Sequence, residues 1–249
     1  MILDFRDRIV LITGGTRGIG KKIAEDIHAL GAEVLITGTN VNEVNSLNKE
    51  AIKYGYKKKY FVLNLLDKES INIFLQQIML YEKIDALVNN AGINRLNHIQ
   101  NVIVSDWDDM VKVNLTSPFL LLNAISNIMI RNNYGRIVNI ASIFGVISKE
   151  KRAVYSATKF GIHGLTVGCS NDLARYNILV NTVSPGFVLT DLTRKNLSAS
   201  EMEDLSQQIP IKRMAETTDI SNVVVFLLSN LNQYVTGQNI IVDGGFTNV

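Results

Sequence analysis

Residues 9–22 read Ile9-Val10-Leu11-Ile12-Thr13-Gly14-Gly15-Thr16-Arg17-Gly18-Ile19-Gly20-Lys21-Lys22. An apolar run of strand length enters a glycine-rich turn, and a helical period follows over Gly18–Leu30. Glycines let the backbone turn tightly and approach a pyrophosphate, whose charge the helix N-terminus then stabilises. Strand, glycine turn and helix in that order open a dinucleotide-binding unit. A rival reading is the phosphate loop G-x-x-x-x-G-K, which Gly15, Gly20 and Lys21 match. The next residue is Lys22, where that loop needs Ser or Thr to hold magnesium, so a nucleoside triphosphatase is disfavoured.

The same rhythm continues outward from this stretch. Strands are expected at Ile9–Thr13, Glu33–Thr37, Lys59–Leu63, Ile84–Val88, Arg136–Ile140, Ile178–Val183 and Asn239–Val242. Helices are expected at Gly18–Leu30, Val41–Tyr54, Lys68–Tyr81, Ser105–Arg131 and Ala153–Arg175. Strands that run apolar without clean alternation imply a sheet covered on both faces. Alternating strand and helix imply right-handed crossovers and an α/β, doubly wound fold. We therefore expect a Rossmann fold whose seven-stranded parallel sheet carries helices on both faces. No linker or repeat divides residues 1–249, so a single dinucleotide-binding domain is expected. The polar stretch 187–216, with a short helix over Ser198–Gln207, breaks the rhythm and reads as a substrate loop or lid.

Composition narrows the function classes. The 249 residues are 47% apolar and 19% charged, with 25 Lys+Arg against 23 Asp+Glu and a formal net charge of +2. That balance excludes disorder and supplies no field for gripping nucleic acid or a membrane surface. One cysteine, Cys169, excludes a disulfide scaffold. The N-terminus carries charges where a signal peptide has its apolar core, and no window holds 18 uninterrupted apolar residues. A cytoplasmic protein is expected. The three histidines lack metal-ligand spacing and no metal is expected. Neither Ser142 nor Ser170 lies in G-x-S-x-G, so a hydrolase elbow is absent.

Further motifs follow the glycine turn in a specific order. They are Asn89-Asn90-Ala91-Gly92, Asn114, Ser142, Tyr155-Ser156-Ala157-Thr158-Lys159, Pro185-Gly186 with Thr190, and Asp243-Gly244-Gly245. With Thr13-Gly14 and Gly18-Ile19-Gly20, this series resembles the short-chain dehydrogenase/reductase family in its single-domain form, over essentially the whole chain. The resemblance implies an oxidoreductase acting on CH–OH or C=O groups. It also implies a nicotinamide cofactor held by Gly14, Thr16, Arg17, Gly18, Ile19, Gly20, Thr39, Asn40, Asn64, Leu65, Asn90, Ala91, Gly92, Tyr155, Lys159, Pro185, Gly186, Val188 and Thr190.

The phosphate state of that cofactor is legible at the second strand's end. An acid there would bind the adenosine ribose hydroxyls and repel a 2′-phosphate. No acid occurs from Leu35 through Asn42, whereas Arg17 offers phosphate a planar donor fork. NADP(H) is therefore expected over NAD(H). Asn64 stands where relatives carry an Asp against the adenine amino group, and keeps an acceptor oxygen.

Tyr155 and Lys159 lie four apart on one helix face. A free tyrosine is a poor base at neutral pH, and a nearby ammonium would favour its phenolate. The resemblance implies that Tyr155 passes the proton, Ser142 holds the carbonyl oxygen, Lys159 holds the ribose, and Asn114 fixes a proton-relay water. The overall pattern is most similar to 3-oxoacyl thioester reductases acting on acyl carrier protein. Those commonly present basic residues where this chain has Asn133 and Tyr176, with Arg131 and Arg175 beside them. The charged run Ser148-Lys149-Glu150-Lys151-Arg152 before Tyr155 supports an alternative, a sugar, sugar-acid or polyol dehydrogenase. An inert cofactor-binding protein is opposed by the intact Asn114, Ser142, Tyr155 and Lys159. Excess apolar residues such as Phe119–Leu122 and Phe160 imply a homotetramer, as in related enzymes.

Overall fold

In the computed structural model, which describes residues 3–249 with the side chains at 192 and 196 aside, the opening apolar run is a strand buried on both faces. In β1 (Ile9–Ile12), Val10 and Ile12 point into one core and Leu11 into the other, as a two-residue period demands. β2 (Glu33–Gly38) repeats this with Val34 and Ile36 against Leu35. β3 (Lys58–Val62), β4 (Ala86–Asn89), β5 (Gly135–Ile140), β6 (Ile178–Pro185) and β7 (Asn239–Val242) complete one parallel sheet. Its order is β3-β2-β1-β4-β5-β6-β7. The winding reverses between β1 and β4, and a crevice opens there beyond the strands' carboxyl ends.

One face is covered by α1 (Gly18–Ala29) and α9 (Thr217–Leu228), which bury Ile23, Ile27, Ile220 and Val224 against the sheet. The other is covered by α3 (Lys68–Ile78), α5 (Ser117–Asn132) and α6 (Ala153–Leu173), with Phe74, Ile78, Leu121, Ile125 and Leu173 in its core. α2 (Val41–Tyr54) packs over β2 and β3, burying Val44 and Ala51, and α4 (Val104–Val111) packs against α6. Each fully buried Phe, Leu or Ile contributes about 1.5–3 kcal/mol, so the two cores dominate the fold's stability.

Four elements depart from the sequence expectation. The helix expected at Ser105–Arg131 is α4, a π-helical turn at Lys112–Thr116, and α5. Pro118 has no N–H for the Asn114 carbonyl, and the Ser117 hydroxyl donates instead to the Lys112 carbonyl at 2.7 Å. The run from Val104 to Asn132 is long and apolar enough to cross a membrane, yet 56% of its most apolar window is buried in this fold. α9 is a helix that the sequence expectation does not include, and its run Val223-Val224-Val225 is β-branched. A reciprocal capping box between Glu216 and Asp219 starts it, and packing on α1 overrides the propensity.

β4 begins at Ala86 rather than Ile84, because the buried Asp85 carboxylate caps the sheet's lower edge. It accepts from the Ile9 amide at 2.8 Å and pairs with Arg8 at 2.9 Å. Within 187–216 lie two helices, α7 (Asp191–Asn196) and α8 (Ala199–Gln208), and Ser198 is the cap of α8 rather than its first turn. The Leu189 amide donates to the Ala215 carbonyl (2.8 Å), and the Ala215 amide donates to the Phe187 carbonyl (2.9 Å). These two bonds close the neck of this excursion.

Candidate active site

The glycine turn is held from beneath by two side chains. The Thr13 hydroxyl accepts from the amides of Asn90 and Ala91, both at 3.0 Å, and the Asn90 amide group donates to the carbonyls of Thr13 (2.9 Å) and Gly14 (3.1 Å). Thr37 adds a third clip, accepting from the Gly14 amide at 3.1 Å. Gly14 and Gly18 adopt φ +62° and +56°, a conformation that side chains disfavour. Gly20 does not line the crevice. A Cβ there would lie 2.6 Å from the Gly14 carbonyl oxygen, so it serves close packing of α1 against the turn.

Above the turn the crevice holds about 540 Å³. It is lined by Gly14, Thr16, Arg17, Gly18, Ile19, Thr39, Asn40, Asn64, Leu65, Asn90, Ala91, Gly92 and Thr190, all expected from the sequence. It is also lined by Glu43, Ile93, Val113 and Asp191, which sequence reasoning missed. Glu43 lies one residue beyond the stretch searched for an acid, exposed at the rim. Arg17 is exposed at the start of α1. The Asn40 side-chain oxygen caps α2, accepting from the amides of Asn42 and Glu43, and leaves its amide group for a ligand. The Asn64 oxygen likewise accepts from the Leu66 amide at 3.0 Å.

Asn114, Ser142, Tyr155 and Lys159 cluster beyond the Gly92 end of this crevice. Asn114 sits buried in the π turn, where its oxygen accepts from the Ile93 amide at 2.9 Å. Its amide donates to the Ile93 carbonyl (2.8 Å) and the Thr158 hydroxyl (3.2 Å). It thereby ties the loop after β4 to α6. A Cβ on Gly92 would lie 3.3 Å from the Asn114 oxygen and 3.6 Å from Lys159 Nζ, so this glycine leaves both polar groups open to the cleft.

Ser142 follows β5, accepts from the Phe144 amide at 3.2 Å, and its hydroxyl favours the Tyr155 phenolate. Lys159 is buried, and its ammonium donates to the Ile140 carbonyl at 2.9 Å. Burial pulls it down from 10.5 to about 8. Burial also raises Tyr155 above its ordinary value, opposed by the Ser142 hydrogen bond and the charge of Arg152. The sequence reading assigned that opposing charge to Lys159, whose ammonium lies 5.5 Å from the Tyr155 ring centre. Arg152 was read only as part of a charged loop.

Pro185, Gly186 and Val188 lie at the carboxyl end of β6 and outside the main crevice. The Gly186 amide donates to the Val242 carbonyl at 2.9 Å, and a Cβ on Gly186 would meet Asp243 at 2.9 Å. Val188 is buried at the neck of the 187–216 excursion. Thr190 touches the glycine turn across Gly18 and caps α7. Asp243 accepts from the amides of Gly245 (2.8 Å) and Thr247 (2.7 Å), which gives the Asp-Gly-Gly ending a structural role.

A family model described as enoyl-(acyl carrier protein) reductase matches residues 14–247. The chain is 41% identical over 247 residues to the 3-oxoacyl-[acyl-carrier-protein] reductase FabG of Aquifex aeolicus, covering 98% of this chain and 99% of that one. It is 36% identical to the Escherichia coli enzyme of the same name, covering 98% of each. Among solved structures, a gluconate dehydrogenase of Agrobacterium tumefaciens, assigned provisionally, superposes with a TM-score of 0.93 at 31% identity. That match covers 100% of this chain and 99% of the other. The gluconate 5-dehydrogenase of Burkholderia cenocepacia, in complex with NADP and tartrate, gives 0.91 at 30% identity, covering 99% and 97%.

Proposed function

The chain belongs to the short-chain dehydrogenase/reductase family, and on that premise we propose that it is an NADP-dependent reductase of 3-oxoacyl thioesters carried by acyl carrier protein. The observation that carries the substrate class is full-length similarity to reductases named for that substrate. The cofactor reading rests on the crevice itself. Its floor is a glycine turn that side chains would fill, its rim carries Arg17 and Thr39, and β2 ends without an acid.

In this reading Gly14, Gly18, Ile19 and the N-terminus of α1 receive the pyrophosphate. Arg17, Thr39 and the Asn40 amide take the 2′-phosphate, while Asn64 and Leu65 flank the adenine. Bound NADPH supplies the hydride for the carbonyl carbon. Tyr155 gives its hydroxyl proton to the carbonyl oxygen as negative charge develops, and Ser142 donates a hydrogen bond to that oxygen. Lys159 holds the ribose, and Asn114 orders the path by which a proton returns to Tyr155. Pro185, Gly186, Val188 and Thr190 bound the nicotinamide end. Residues 187–216 form the substrate lid of a single domain.

Arg131 and Arg175, both exposed at helix C-termini, replace the absent basic residues at Asn133 and Tyr176 in meeting an acidic carrier. Exposed Phe119, Phe160 and Val167 on α5 and α6 support a homotetramer, placed in the cytoplasm. A second reading, reduction of a keto-sugar acid, is favoured by the basic loop around Arg152 and the gluconate dehydrogenase likeness. NADPH oxidation with 3-oxoacyl thioesters, keto-sugar acids and small ketones separates them. Highest kcat/KM on the thioesters is expected, and highest kcat/KM on keto-sugar acids would replace the first reading with the second.

A further inference from the structure

Arg152 is the last residue before α6 and three residues from Tyr155. It is half-buried, and among the described residues it makes no ion pair and no side-chain hydrogen bond. Its guanidinium lies over Phe144, 4.6 Å from the ring centre. Phe144 is itself buried, held by the Ser142 hydroxyl, and stands edge-on to Tyr155 at 6.5 Å. The contact with the ring face uses none of the guanidinium's N–H donors, which stay unfilled among the described residues.

The contact with Phe144 is the one stabilising interaction its charge makes among the described residues, and it leaves the cation without an anion. A cation at a helix N-terminus opposes the positive end of the macrodipole, and the first turn of α6 contains no acid to compensate. Partial burial without an anion adds a desolvation cost, which also lowers the guanidinium's proton affinity. The neighbouring Glu150 lies 3.5 Å from His98. Lys151, just before Arg152, holds φ +64°, a conformation that costs energy for a residue with a Cβ. Unfavourable charge placement and a strained backbone coincide one turn from the hydroxyl pair Tyr155–Ser142, the pattern of a group kept for a ligand.

We infer that Arg152 is a specificity-determining residue that binds a second oxygen acceptor of the substrate beside the reacting carbonyl. The inference rests on the reading of Tyr155 and Ser142 as the carbonyl-binding pair. It favours a substrate that carries such an acceptor over a simple ketone. A thioester carbonyl and a free carboxylate share the required chemistry.

The test compares wild type, Arg152→Gln and Arg152→Lys on the acetoacetyl thioester of N-acetylcysteamine, free acetoacetate and 2-pentanone. The readout is kcat/KM for each acyl substrate relative to 2-pentanone. A charge-assisted hydrogen bond predicts a ten- to hundredfold fall in that ratio for Arg152→Gln, on the order expected for such a bond. Arg152→Lys should recover part of it with acetoacetate. A ratio within twofold of wild type in Arg152→Gln overturns the inference, as does equal loss on all three substrates. An effect confined to acetoacetate upholds Arg152 and overturns the carrier-thioester function. A wild type that reduces neither acyl substrate overturns both.

Discussion

Lys159 is a buried cation with a carbonyl rather than a carboxylate for a partner, and two measurable properties follow. In the unfolded chain a lysine keeps its proton to about pH 10.5, whereas here the proton leaves near pH 8. Between those values the unfolded state binds more protons, so the Lys159 contribution to stability rises with pH across that window. At pH 7 both states are charged and the burial penalty is at its full value, at most about 3 kcal/mol. Lys159→Met removes that penalty and loses one hydrogen bond of about 1 kcal/mol. Calorimetry at pH 7 should show a melting temperature above wild type alongside lost turnover, and a lower one contradicts the assignment of a costly buried charge. Tyr155→Phe removes only the proton donor, so turnover should fall below detection while NADPH quenching titrations stay near wild type. Measurable turnover by that variant refutes the proton role. At Gly38, a Cβ would lie 2.6 Å from the Thr16 methyl, and Gly38→Asp adds a charge facing the 2′-phosphate site. NADPH binding should weaken more than NADH binding, by about 1–3 kcal/mol. A wild type that already prefers NADH would reverse the cofactor reading.

The π turn at Lys112–Thr116 is the element that makes the site. It widens the helix by one residue and turns Asn114 inward, where one side chain satisfies both the amide and the carbonyl of Ile93. Asn114→Ala leaves those two groups without their partner in a partly dry position, which costs about 1–3 kcal/mol. Urea denaturation should report that loss, and amide exchange at Ile93 should accelerate. Unchanged stability with unchanged exchange would mean that the loop after β4 is held by other contacts. The glycine turn depends on a comparable brace, because Asn90 and Thr13 supply four bonds beneath it.

For the whole molecule, the question is what covers α5 and α6. Leu121 and Leu122 are buried against the sheet, but Phe119 and Phe160 are 48% and 49% exposed, and Val167 on α6 is 39% exposed. Two apolar helix faces of this kind in solution call for a self-complementary contact, which a two-fold axis provides. Light scattering at micromolar concentration should give a mass near four times the 27.7 kDa chain. An active monomer would refute that assembly.

The local elements were legible from sequence alone because their signals are local. β-branched runs, the 3.6-residue period and the Gly14–Gly20 turn dictate strand, helix and phosphate cradle through steric preferences within a few residues. The ordered motifs from Asn89 to Asp243 identified the family, from which the roles proposed for Ser142, Tyr155 and Lys159 follow. Tertiary structure decided what depends on distant partners. α9 is a helix despite its valines because α1 offers a packing face, and the role of the π turn at Lys112–Thr116 shows only where Asn114 meets Ile93 and Thr158, partners from distant segments. Glu43 reaches the cleft only once α2 is folded. Arg152 becomes a lone cation beside Tyr155 only when Phe144, from another segment, slides beneath it. Charge in a sequence has no address until packing settles what lies within a few ångströms of it.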